Sequence, residues 1–366
     1  MTDLQDVHMG RKEGWARIVN ATPRVQPERL TARKCSALSP SRKAKYDKQR
    51  RDWHANMGVL RTPQLRGLHN TLWDIVDSNL HDNDRAKGAV AIEGAAGLGK
   101  STAVEQFAKE FHLREVAENG PRTAEGNERW PVCRVTLSGH PTLRDLNVSL
   151  LHFFAHPGTS RGNAADFARR ALDTFLACEV RLLIIDLHFL RWRAADGVKV
   201  SNHLKFIANE FPVTLVLVGV GLTEAGLFTE GRTQRESTLA QTARRTTRLT
   251  LDPFANTNAG QKQWRSVLHA IEQRIVLVKH REGALSEQLA DYLYARTSGH
   301  IGSLMTLINR ASSRAIRTGT EALTEQLLEA TPIDAAAESA RGVTQAGLRA
   351  ARRSTRKPRR LTVVPE

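Results

Sequence analysis

The chain has 366 residues, 40% of them hydrophobic, and a formal net charge of +16, enough for one sizeable α/β domain plus a smaller one. Such a positive excess points to a polyanionic partner, nucleic acid being the commonest. Three widely separated cysteines, Cys35, Cys133 and Cys178, exclude a disulfide framework and any zinc site of ordinary spacing.

Residues 1–60 form a basic N-terminal extension. Between Arg29 and Arg51 there are nine basic residues and one acid, Asp47, and this stretch reads as an arm or small helical extension without a core of its own. Trp15 and Trp53 within it are suited to base stacking or, more simply, to packing. A helix is predicted from Thr62-Pro63, with Leu65, Leu68, Leu72 and Val76 at helical spacing. Strands are predicted at Ala89–Glu93, Val132–Leu137, Arg181–Asp186, Val213–Gly219 and Arg248–Leu251. Helices are predicted between them at Ser101–Leu113, Thr142–Phe154, Asp166–Ala177 and Val200–Phe211. Strand and helix alternating in this way imply a five-stranded parallel sheet covered on both faces over residues 61–254. From 255 to 332 the pattern is all-helical, with candidates at Trp264–Val278, Leu285–Arg296, Ile301–Thr318 and Glu321–Ala330. Residues 333–366 have few large apolar side chains. Between Arg341 and Arg360 they carry eight basic residues and no acid, which predicts a basic, disordered tail.

The longest apolar runs, Leu182–Ile185 and Val213–Leu222, are too short to span a bilayer. The opening Met1–Asp6 begins no apolar signal segment. The expectation is a cytoplasmic protein with no membrane partner.

The chemistry lies in Gly94-Ala95-Ala96-Gly97-Leu98-Gly99-Lys100-Ser101, followed by Thr102. This fits G-x-x-x-x-G-K-[ST] between a predicted strand and a predicted helix, the context a P-loop requires. Glycines let backbone amides wrap an anion, and the helix offers its positive end to the same phosphates. Lys100 supplies a charge to the β- and γ-phosphates, and the Ser101 hydroxyl ligates Mg²⁺. ATP and Mg²⁺ are therefore the expected ligands. Leu182-Leu183-Ile184-Ile185-Asp186 places an acid at the end of a buried strand, where it holds the metal's water shell. The next residue is Leu187, which cannot polarise an attacking water, so good binding with slow or absent hydrolysis is expected. His188 follows, but adjacent residues on an extended strand point to opposite faces, so it does not stand in for Leu187 and reads more simply as a packed or hydrogen-bonded histidine. Arg244, Arg245 and Arg248 precede the last strand; an arginine there suits a neighbouring subunit's γ-phosphate, or the three form a basic patch for DNA.

Taken in order, several stretches resemble the TniB/TnsC-type AAA+ transposition ATPases. They are Thr62-Pro63-Gln64-Leu65, the P-loop, Ile185–Leu190, Ser201–Lys205 with Ala208-Asn209-Glu210, Gly219-Val220-Gly221, Leu251-Asp252-Pro253-Phe254 and Thr297–Gly302. The resemblance implies an α/β P-loop AAA+ core with a C-terminal helical lid domain. It also implies an ATP-bound homo-oligomer that assembles on double-stranded DNA and recruits or activates a transposase. On that likeness Lys100 and Ser101 bind nucleotide and metal, Asp186 supports Mg²⁺, and Leu187 replaces the usual acid. The other readings of the same residues are a DNA-dependent motor or helicase loader, and a signalling ATPase that does not act on DNA.

Overall fold

The computed structural model describes residues 10–81, 87–138, 142–188, 203–204, 206–224 and 245–355. They divide into two compact units.

The first unit takes residues up to Thr22 together with Pro63–Leu251. Its helices are α1 (Lys12–Val19), α4 (Pro63–His81), α5 (Lys100–Asn119), α6 (Leu143–Phe153) and α7 (Ala164–Ala177). Its strands are β1 (Ala89–Glu93), β2 (Val132–Ser138), β3 (Leu182–His188), β4 (Thr214–Gly219) and β5 (Thr246–Thr250). They form one sheet in the order β2-β3-β4-β1-β5, every pair parallel. The apolar runs explain this choice, because a parallel sheet is covered on both faces and its strands need no polar alternation. β4 is buried at all its positions. β5, at the edge, keeps only Thr246 buried and exposes Arg248. Over the sheet, α5 buries Val104, Phe107, Ala108 and Phe111. Thr142 and Asp145 form a capping box at the start of α6. Because β1 lies between β4 and β5, the chain leaves its carboxyl end beside a crevice where α/β sheets bind ligands.

The second unit takes Pro23–Thr62 and Asp252–Glu366. It contains α2 (Ala32–Ser36), α3 (Pro40–Ala55), α8 (Asn258–Glu272), a π-turn (Ala284–Gln288), α9 (Ala290–Thr297), α10 (Ile301–Thr318), α11 (Glu325–Glu329) and α12 (Ala335–Thr355). Trp264, Leu268, Ile271, Leu304, Leu307 and Ile308 centre its core.

Two expectations are corrected here. The basic extension is not a free arm, for Trp53, Met57 and Leu60 enter the helical core. Arg50, fully buried, donates to both carboxylate oxygens of Glu321 at 2.6 and 2.9 Å and to Asp47 at 2.5 Å. Trp15 takes the simpler of its two expected roles, packing: it is 1% exposed, with Nε1 donating to His112 Nδ1. The tail is not disordered over its first part. There α12 buries Ala337 and Leu348, and Glu338 receives Arg296 at 2.5 Å, so ion pairs compensate for the scarcity of large apolar residues. The predicted start of a helix at Val200 lies outside the described residues, as do Arg244 and residues 356–366. Among the described residues, no helix is long and apolar enough to cross a membrane.

Candidate nucleotide site

The P-loop joins β1 to α5, and its glycines are where the backbone demands them. Gly94, Gly97 and Gly99 have φ of 156°, 77° and 82°, values that side chains with a Cβ rarely adopt. Leu251 N donates to Glu93 O, which brings the end of β5 against the loop. A Cβ on Gly94 would stand 2.3 Å from Leu251 O. Gly94→Ala must therefore displace backbone, and strain of about 1–3 kcal/mol predicts a loss in nucleotide affinity of about ten- to a hundredfold. Titration with a fluorescent ATP analogue, with far-UV circular dichroism to show the sheet intact, checks this.

Gly99 opens α5 without any side-chain cap, whereas Ser39, Thr142, Asn163 and Thr257 cap α3, α6, α7 and α8. The first amides of α5 are thus left for an anion. Lys100 is 9% exposed, and its Nζ donates to Gly94 O and Ala95 O, both at 2.7 Å. The ammonium is held inside the loop by weak carbonyl partners that a phosphate would outcompete. Burial pushes its pKa down, while Asp186 and Glu93 pull it back up. The Ser101 hydroxyl lies 3.4 Å from Asp186 Oδ2. β3 and β1 flank β4 on either side, and that register brings an acid 85 positions downstream to the P-loop serine. A hydroxyl and a carboxylate so placed, beside a lysine and uncapped helix amides, fit Mg²⁺-nucleotide.

β3 continues two residues beyond its expected end, so Leu187 is a strand residue, 3% exposed, paired with Leu137 and Gly219. No acid replaces it at that position. Arg245 and Arg248 are not brought to this P-loop. Arg245 stands before the amino end of β5, opposite the loop's edge of the parallel sheet, and donates to Asn209.

Four residues at the site carry no sequence motif. Glu93, ending β1, accepts from Thr223 N at 3.3 Å and Thr223 Oγ1 at 2.7 Å, tying the P-loop to the segment after β4. Arg134 on β2 places Nη2 3.7 Å from Asp186 Oδ2 and Nη1 2.7 Å from Glu105 Oε1 on α5. The only sequence signal for Arg134 is a charged residue within an otherwise apolar strand.

The strand order and the loop geometry define a P-loop AAA+ ATPase fold with a further helical domain. Solved structures agree in fold. The Aeropyrum pernix ORC2 protein in its ADP form is 14% identical, with a TM-score of 0.56, covering 76% of this chain and 71% of that one. The ADPNP–ADP complexes of the same protein give 15%, 0.51, 80% and 72%. The Aeropyrum pernix ORC1 protein in complex with DNA gives 15%, 0.50, 76% and 67%. The bacterial TniB protein family matches residues 54–243, just over half of the chain's 366 residues, and the chain belongs to that family. No curated protein matches the sequence.

Proposed function

We propose that the chain is an ATP-switched regulator of DNA transposition that assembles on double-stranded DNA as an ATP-bound oligomer and there recruits or activates a transposase. One observation carries the switch reading: a full set of groups for phosphate and Mg²⁺, with a buried leucine in place of a base. Membership of the TniB family supports the link to transposition, and a protein of this fold, ORC1, has been solved with DNA.

On this reading the P-loop amides and Lys100 hold the β- and γ-phosphates, and Ser101 and Asp186 hold Mg²⁺, which neutralises phosphate charge when bound. Leu187 excludes water from the side of β3 where a base would stand, so the bound state persists. Arg245 or Arg248, with Arg244, serves a neighbouring subunit's nucleotide and makes assembly depend on the γ-phosphate. Arg33, Lys34, Arg42, Lys45 and Lys48 are exposed on α2 and α3 and supply phosphate contacts, which bring affinity and salt dependence with little sequence choice.

The test is DNA binding and particle size with ATP, with ADP and without nucleotide, alongside phosphate release. Large DNA-bound particles that form only with ATP and turn over slowly are expected. Their affinity should fall linearly with salt on logarithmic axes. Nucleotide-independent binding by small particles refutes the switch. Vigorous DNA-stimulated turnover identifies a motor or helicase loader instead, and indifference to DNA identifies a signalling ATPase.

A further inference from the structure

The residue that leads into the P-loop carries a carboxylate, and that carboxylate is clasped from one side. Glu93 ends β1, directly before Gly94. Its Oε2 accepts from Thr223 Oγ1 at 2.7 Å and its Oε1 from Thr223 N at 3.3 Å, so a single residue engages both oxygens. A tight turn at the carboxyl end of β4 delivers Thr223. Glu93 pairs in register with Gly219, the last residue of β4, and Thr223 follows four positions later. A Cβ on Gly219 would stand 2.5 Å from Leu222 Cδ2, because the buried Leu222 side chain folds back over the strand end. Gly221 turns the chain with a φ of 65°. Thr223 itself is exposed, so what it contributes is its two donors rather than packing.

Lys100 is the cation that this carboxylate could reach. Its Nζ bonds to Gly94 O, the carbonyl of the residue next to Glu93, and to Ala95 O, both at 2.7 Å. Burial lowers the pKa of the ammonium, while Asp186 and Glu93 raise it, so the Glu93 carboxylate already acts on the ammonium through its field. A carboxylate is a stronger partner for an ammonium than a carbonyl is. Paired with Glu93, Lys100 would have to give up an ion pair before meeting phosphate, and the carboxylate would repel the phosphates as well.

We propose that Thr223 is a positioning residue for nucleotide binding: it holds the Glu93 carboxylate aside from Lys100, so that the lysine waits with carbonyl partners that phosphate displaces. The clasp makes nucleotide affinity answer to the exit turn of β4, since withdrawing Thr223 releases Glu93 to Lys100.

The inference rests on the Mg²⁺-nucleotide reading of the P-loop, and one set of titrations separates the two. Binding of a fluorescent ATP analogue with Mg²⁺ is measured for the wild-type chain, Thr223→Ser, Thr223→Val, Glu93→Gln, and Glu93→Gln combined with Thr223→Val. Thr223→Ser keeps both donors and should match the wild type. Thr223→Val loses the shorter bond, and the ion pair that Lys100 gains should weaken binding by about three- to tenfold. Glu93→Gln has no charge with which to compete and should bind at least as tightly as the wild type. The double variant should bind as Glu93→Gln does, because with the carboxylate gone the valine costs nothing. A clasp that only braced the loop gives another pattern, in which the double variant is as weak as Thr223→Val or weaker. That pattern, an unchanged Thr223→Val, or a weakened Glu93→Gln overturns the inference. Thr223→Ala makes the same comparison should the valine disturb the turn. A wild-type chain that does not bind the analogue overturns the nucleotide reading, and the inference with it.

Discussion

Lys100→Ala should abolish useful ATP binding. The ammonium is mostly buried and already sits within the loop, bonded to Gly94 O and Ala95 O, so it meets phosphate without crossing a large distance or shedding a full water shell. Two charge-assisted hydrogen bonds at about 1.5–3 kcal/mol each imply a loss of about a hundredfold or more. Isothermal titration with ATP in the presence of Mg²⁺ measures it. Asp186→Asn is the informative partner. It removes the charge that faces Ser101 but leaves the phosphate cradle, so nucleotide should still bind in EDTA while the gain on adding Mg²⁺ disappears. Retention of tight Mg²⁺-dependent binding by Lys100→Ala would remove the P-loop from the mechanism.

Glu321→Ala should destabilise the helical unit by about 3–5 kcal/mol, the cost of stranding a buried charge. Arg50 is fully buried and two of its three bonds to carboxylates go to Glu321, which also accepts from Val278 N. Asp47 remains after the substitution, but Lys43 shares it. The double replacement Arg50→Met with Glu321→Met should cost less than Glu321→Ala alone, because no unpaired charge is left and apolar volume is kept. Urea unfolding followed by tryptophan fluorescence reads this, since Trp53 and Trp264 both lie in that core. Equal costs for the single and double changes would mean that the pair is not what holds residues 23–62 in place.

What could be read in the sequence was what is local. The P-loop is one contiguous pattern whose glycines answer to the backbone conformation of the loop itself. Ile184, Ile185 and their neighbours announced a buried strand because a parallel sheet hides both faces. Asp186 was legible as the end of that run. Arg134 and Glu105 were not, because their meaning comes from register between β2 and β3 and from the face that α5 turns down. Glu93 and Thr223, 130 positions apart, meet only once β1 and β4 are paired. The basic stretch before Thr62 misled for a related reason. Its polar composition suggested an arm, yet Arg50 is buried through a partner 271 positions away. The helix expected over Leu285–Arg296 is interrupted by a π-turn. Gln288 N and Leu289 N reach back five residues to Gly283 O and Ala284 O, while Glu272 accepts from Leu285 N and the Ser286 hydroxyl. No period in the sequence encodes that carboxylate.

The membership of residues 23–62 in the second unit bears on how the chain is made. Synthesis delivers α2 and α3 early, but the helices that cover Trp53 and accept Arg50 follow only after Leu251. On a ribosome adding about 5–20 residues per second, that interval lasts on the order of ten seconds or more. Throughout it Trp53, Met57 and Leu60 have no core to enter, while the intervening P-loop unit, whose last residue is Leu251, is free to fold. During synthesis the nucleotide-binding unit can therefore be finished while residues 23–62 still expose the basic, tryptophan-bearing surface that the later helices cover, which makes that segment costly to delete.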